Sequence, residues 1–321
     1  MLGDVRLPPM KIQLSHTDPG LCIAWWNTGL APPRGRRPVT DAHIDAAAGV
    51  LQHLIEDNGA DLIALAEMSE DCAHRLRARC EIARTEFTWL KAFVPAGRGR
   101  FSLCVLSRTR RLQVTLIHPI IKKEGNAFIK VGLHFSVQPH HEDEYPFTLI
   151  ASHWPSRLHM DRHDSERTHI AAHLRRWIDD HIPSIEDVSN VLLIGDFNDE
   201  PFDEGLERYL HASRDREKVR RNPRLLYNPF WRHLSSFQPE APACAQADPG
   251  TYLHHGGTCS RWRTFDQVIV SSAVLFGRSG WRLNEADTRV ASVPQLDLER
   301  PPAHRVFDHL PIVGHLERYF A

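Results

Sequence analysis

Residues 191–199 read VLLIGDFND: four apolar residues run into a glycine, an acid, a ring and an amide. A short unbroken apolar run suits a strand buried on both faces, the kind found inside an α/β sheet. Past Gly195 an extended backbone sends Asp196 and Asn198 to one face and Phe197 to the other, because strand side chains alternate. Asp196 and Asn198 then serve one pocket while Phe197 packs. The same pattern recurs at Leu62 to Ala66, which ends at Glu67, and acids also stand beside the apolar runs Phe265 to Val270 (Asp266) and Leu310 to Val313 (Asp308). Strand ends are where α/β folds place their sites.

Helical spacing surrounds these runs. Ile44, Ala47, Ala48, Leu51, Leu54 and Ile55 recur as one face of a helix, with Thr40 or Asp41 as its N-cap and Asn58-Gly59 as its stop. Ile170, Leu174, Trp177 and Ile178 mark a second helix just before 191–194, so strand, helix, strand occurs twice. Leu21 to Trp26 reads as a first strand, and Phe101 to Leu106, Val114 to His118, Phe128 to Val137 and Phe147 to Ala151 as consecutive antiparallel strands. Residues 1–19 read as an N-terminal arm, and 20–321 as a single domain without a linker. The stretch from about 211 to 250, rich in Pro, Arg and Ala, is expected to be an insertion over the active site.

The 42% apolar and 25% charged residues support a sizeable core and argue against global disorder. A net charge of −1, from 39 basic and 40 acidic residues, provides no overall field to attract nucleic acid, so any such contact falls to local patches. The six cysteines show no C-x-x-C pair, which argues against a zinc site or a disulfide framework. No signal peptide and no transmembrane segment is visible, and the expected compartment is cytoplasmic.

Taken singly, an acid at a strand end is more often a cap, a turn former or a surface charge than a catalytic group, and His153 more often a satisfied polar residue, so the combination carries the case. If the carboxylates converge, their repulsion calls for a hard cation, and oxygen donors suit Mg²⁺, or Mn²⁺ in its place, better than zinc. Arg157, four residues beyond His153, fits either a phosphate clamp or a surface salt bridge. Trp154 is a base-stacking ring or, more simply, a packed loop anchor. Arg34, Arg36 and Arg37 form a basic loop that touches a polyanion or merely stays solvated.

The ordered set Ala24 to Asn27, Leu62 to Glu67, Ser152 to Arg157, Gly195 to Asn198, Phe265-Asp266 and Asp308 to Pro311 resembles the endonuclease/exonuclease/phosphatase superfamily, of deoxyribonuclease I-like type, and Gly250 to Tyr252 with Arg263 to Asp266 resembles its bacterial members. The resemblance implies a four-layered α/β sandwich, two packed mixed β-sheets flanked by helices, with the catalytic loops at one edge. It implies that Glu67 is the principal metal ligand with Asn27 and Asp308 near the ion. Asp196 and Asn198 would position water and phosphate, His153 and His309 would donate to phosphate oxygens, and Asp266 would orient His309. The reaction implied is phosphodiester hydrolysis by an activated water, with a nucleic acid as first-choice substrate. A small-molecule or lipid-headgroup phosphoester is the alternative, and an inactive binding module the third reading. Ala66 stands where many relatives have Gln, and His153 rather than an aromatic residue leans away from the abasic-site repair branch.

Overall fold

The computed structural model describes residues 20–31, 38–141, 143–157, 165–183, 188–234, 250–254, 262–296 and 307–319. The strands are β1 (Leu21–Asn27), β2 (Leu62–Ala66), β3 (Phe87–Ala92), β4 (Pro95–Ala96), β5 (Gly99–Arg100), β6 (Leu103–Arg108), β7 (Leu112–Glu124), β8 (Ala127–Pro139) and β9 (Phe147–His153). They continue as β10 (Val191–Asp196), β11 (Ala212–Ser213), β12 (Leu226–Tyr227), β13 (Tyr252–Leu253), β14 (Trp262–Arg263), β15 (Asp266–Val270), β16 (Trp281–Val290) and β17 (Ile312–Arg318). The helices are α1 (Asp41–Glu56), α2 (Glu70–Arg79), α3 (Glu81–Glu86), α4 (Ser165–His181), α5 (Arg216–Arg221) and α6 (Ser272–Phe276).

Two mixed sheets carry the fold, in the orders β16-β17-β1-β2-β6-β3 and β11-β12-β15-β10-β9-β8-β7. Alternation along the strands decides how they stack. Leu21, Ile23 and Trp25 of β1 share a core with Leu133, Phe135, Leu149, Leu192 and Ile194 of the second sheet. Cys22, Ala24 and Trp26 turn the other way, onto Ile44, Leu51 and Leu54 of α1. On the far side Val191 and Leu193 meet Ile170, Leu174 and Ile178 of α4. The result is helix, sheet, sheet, helix, as the resemblance implied.

The long amphipathic segments fold as their periodicity predicted. Thr40 caps α1, accepting from the His43 backbone N–H. Mostly polar elements escaped the sequence reading, among them α2, α3 and β16. Residues 212–234, to which no elements were assigned, hold β11, α5 and β12, and β11 and β12 extend the edge of the second sheet beside β15. Residues 235–249, the remainder of the expected insertion, lie outside the described residues, as do the N-terminal arm and Arg34, Arg36 and Arg37.

Candidate active site

Parallel pairing places the site. β1 pairs in parallel with β2, and β9 with β10, so Asn27, Glu67, His153 and Asp196 all arrive at the carboxyl ends of central strands. Asp196 registers with His153 on one side and Asp266 on the other. Those three side chains therefore form a row on adjacent strands. Gly195 lets the strands close at this point, because a Cβ there would lie 2.0 Å from the Ser152 carbonyl oxygen.

The two sheets meet across this row. Asn27 Nδ2 donates to Asp196 Oδ2 at 3.1 Å and to Glu67 Oε1 at 3.3 Å, while its Oδ1 accepts from the Gly29 N–H. His153 Nε2 lies 3.6 Å from Glu67 Oε1 and 3.8 Å from Asp196 Oδ2, between the two carboxylates and beyond direct hydrogen-bond range. Asp196 Oδ1 accepts from the Asn198 N–H at 2.9 Å. Glu67 and Asn198 both hold left-handed backbones, with φ of 48° and 50°. Non-glycine residues seldom adopt such values, and they concentrate at functional sites.

Behind the row stands a buried pair. His309 Nδ1 lies 2.7 Å from Asp266 Oδ2, Asp266 Oδ1 accepts from the Trp25 indole N–H at 2.8 Å, and His309 Nε2 sits 3.7 Å from Asp196 Oδ2. Burial works to lower the His309 pKa, but the Asp266 and Asp196 carboxylates overcome it and hold the imidazolium up to about 10. Burial raises the Asp266 carboxyl, with His309 opposing. The segment 308–310 is held by backbone bonds to Thr251 and Leu253, and the Tyr252 ring lies 4.6 Å from the His309 ring.

Asp196, Asp266 and His309 present ligand atoms within 4.8 Å of one another. Asp266 and His309, however, already bond each other, and Trp25 takes the other Asp266 oxygen. Both Asp196 oxygens accept as well, from the Asn198 N–H and the Asn27 amide, so the freer oxygens belong to Glu67 and Asp308. The Asp308 carboxylate, half-buried, makes no hydrogen bond or ion pair among the described residues. These are hard donors that suit a divalent ion such as Mg²⁺. Asn27 points its amide nitrogen at the carboxylates, so in this orientation it aligns them as a donor.

Two expected substrate contacts take other roles. Trp154 is 1% exposed and packs edge-on against Phe197 at 5.2 Å, leaving no face for a base, so it is the loop anchor. Arg157 donates to the Asn198 carbonyl at 2.7 Å, pairs with Asp199 and Asp203 and covers the Phe265 ring, bracing the loop after β10 while it also lines the cavity beside Asn198. Arg167, unnoticed in the sequence, is buried and donates to the Pro155, Phe197 and Asn198 carbonyls and to Asp199, tying the loops after β9 and β10 together. Its signal was present: Arg167, Ile170, Ala171 and Leu174 share one helical face, and a cation on an apolar face needs buried partners. Burial pushes the Asp199 carboxyl up to about 6, against the pull of Arg167 and Arg157.

A cavity of about 260 Å³ opens beside Asn198, walled by Tyr252, Phe265 and Arg263. A larger one, about 720 Å³, lies around Phe147 and Asn190 at the opposite ends of β9 and β10, away from the carboxylates.

The profile of the Endonuclease/Exonuclease/phosphatase family matches residues 37–301. The chain belongs to this family. As a member it is a hydrolase of phosphoric esters. No curated protein sequence matches this family member. Its fold is similar to that of D. rerio TDP2 complexed with a single-stranded DNA product, at 17% identity and TM-score 0.60, covering 94% of this chain and 100% of that one. It is also similar to the human Nocturnin catalytic domain with bound sulfate, at 15% identity and TM-score 0.57, covering 94% and 95%. A Bacteroides thetaiotaomicron mannosyl-6-phosphatase shares 13% identity at TM-score 0.52, covering 92% and 99%. At these identities the likeness is one of fold alone.

Proposed function

We propose that the chain is a magnesium-dependent phosphodiesterase that cleaves nucleic acid, with Glu67 and Asp308 at the ion and Asn27 aligning the Glu67 and Asp196 carboxylates. One observation supports this above others: Glu67 and Asp196, from different sheets, converge on the Asn27 amide beside two imidazoles. A bound Mg²⁺ would supply Lewis-acid neutralisation of phosphoryl charge.

The side chains divide the remaining work. Asp196, fixed by the Asn198 N–H, accepts the proton of a water placed in line with the leaving oxygen. His309, held charged by Asp266, directs Nε2–H into the cleft and stabilises the anionic phosphorane. His153 donates to a second non-bridging oxygen. Water oxygen bonds to phosphorus, the P–O ester bond breaks, and the leaving oxygen takes a proton from solvent.

The test is hydrolysis of bis-p-nitrophenyl phosphate with Mg²⁺ or Mn²⁺. Chelation, Asp196→Ala and His309→Ala should each abolish turnover, and wild-type rates in both variants would refute the assignment. A small-molecule phosphoester remains the second reading, favoured by the net charge of −1. Product analysis on single- and double-stranded DNA, RNA, inositol phosphates, phospholipids and a sugar phosphate decides between them.

A further inference from the structure

The strand β8 contains a cation that no role above uses. Leu133, Phe135 and Val137 face the core between the sheets, and regular alternation would put residues 131 and 129 there too. Instead the register slips: Ile120 pairs with Gly132 and Ile121 with Lys130, leaving Val131 as the extra residue of a bulge. Val131 and Ile129 accordingly pack on the α4 side. The bulge thus turns Lys130 to the inter-sheet side, where it would otherwise face outward.

There Lys130 meets the neighbourhood of Glu67. Its Nζ donates to the Arg100 carbonyl at 3.1 Å. Two residues on, the Ser102 carbonyl accepts from the Met68 N–H, and Met68 follows Glu67 directly. Across the sheet, β8 pairs antiparallel with β9, and the register from Leu133↔Ala151 runs on toward His153. Among the described residues the ammonium forms no ion pair, and Glu67 is the charged group whose field it feels. Burial lowers its pKa, so the charged form lacks full compensation in the free protein. An anion arriving at the site would provide that compensation.

We propose that Lys130 is an anion-binding residue on the Glu67 side of the site, receiving a phosphate oxygen of the substrate. This rests on the phosphodiesterase reading for its substrate, but phosphate binding can be measured without turnover. A β-bulge at this strand end is the device that aims the side chain.

The first measurement is thermal stabilisation by inorganic phosphate in chelator, comparing wild type with Lys130→Met, which keeps the aliphatic length, and with Lys130→Arg, which keeps the charge. Phosphate should raise the wild-type Tm, leave K130M at least fivefold weaker in apparent phosphate affinity, and stabilise K130R in between. The second measurement is steady-state hydrolysis of bis-p-nitrophenyl phosphate: KM should rise about tenfold in K130M with kcat within about threefold, and K130R should recover most of the loss. A wild type indifferent to phosphate, or a K130M that binds phosphate as wild type does, overturns the proposal. If K130M does not fold, Lys130→Gln takes its place: weaker phosphate affinity and a raised KM in the folded variant support the proposal, and wild-type phosphate affinity and KM overturn it. Absence of hydrolysis by wild type refutes the phosphodiesterase reading alone, and the phosphate measurement still decides for Lys130.

Discussion

At the scale of single residues, the buried Asp266–His309 pair has a direct consequence for pH. A histidine whose folded pKa is raised adds stability that is fully present below its unfolded pKa near 6.5 and is lost as pH rises through the folded value, here about 10. Between pH 7 and 10 in chelator, the Tm of wild type should therefore fall more steeply than that of His309→Asn, and equal slopes would contradict the raised value. Asn198 offers a second case. It holds φ 50° and donates from Nδ2 to the Trp154 carbonyl at 3.0 Å. Ala tolerates the left-handed region less well, so Asn198→Ala should cost about 1 to 2 kcal/mol by chemical denaturation. Asn198→Gly, which removes the backbone strain but also the amide, should cost less.

At the scale of elements, the site depends on two strands closing tightly and on a brace behind them. Gly195→Ala would drive a methyl into the Ser152 carbonyl, so β9 and β10 must separate where His153 and Asp196 stand side by side. Activity should fall at least a hundredfold while far-UV circular dichroism remains near wild type; an active variant would show that this register does not matter. Arg167→Met leaves Asp199 buried beside fewer cations, and losing one partner of a buried ion pair costs about 3 to 5 kcal/mol. In urea, Arg167→Met should show that loss, and Arg167→Met with Asp199→Asn should lose less than the sum of the two single changes. Apolar periodicity made β1, α1, β2, α4 and β10 legible beforehand, because a buried face repeats at the period of its element. Helices α2 and α3 are mostly polar, and β11 and β12 have two residues each, so local pattern had little to report.

For the whole molecule, the proposed function has the converged acids of the folded state hold a divalent ion that the unfolded chain does not. Mg²⁺ at a hundredfold over Kd should then stabilise the protein by about 2.7 kcal/mol, visible as a higher Tm. Glu67→Gln should abolish most of that rise, and an unchanged wild-type melting curve at saturating Mg²⁺ would remove the cation from the site. The sandwich explains why the acids lie apart in sequence yet meet in space. Asn27 and Glu67 come from one sheet and His153, Asp196 and Asp266 from the other, and only stacking the inner faces brings Asn27 within 3.1 Å of Asp196.

The chain by itself determined the alternation of apolar and polar positions, and through it the layers, the strand ends and the acids that stand there. Those features are local, written in which residues follow which. Tertiary structure decided which side chains remained free for chemistry. For Arg157 and Trp154 a linear reading left a substrate contact and a structural role both open, and packing and ion pairing at close range engaged both. Lys130, which the sequence did not single out, was set on its face by a one-residue slip in register. Such outcomes depend on distances between residues far apart along the chain, which exist only after the sheets have stacked.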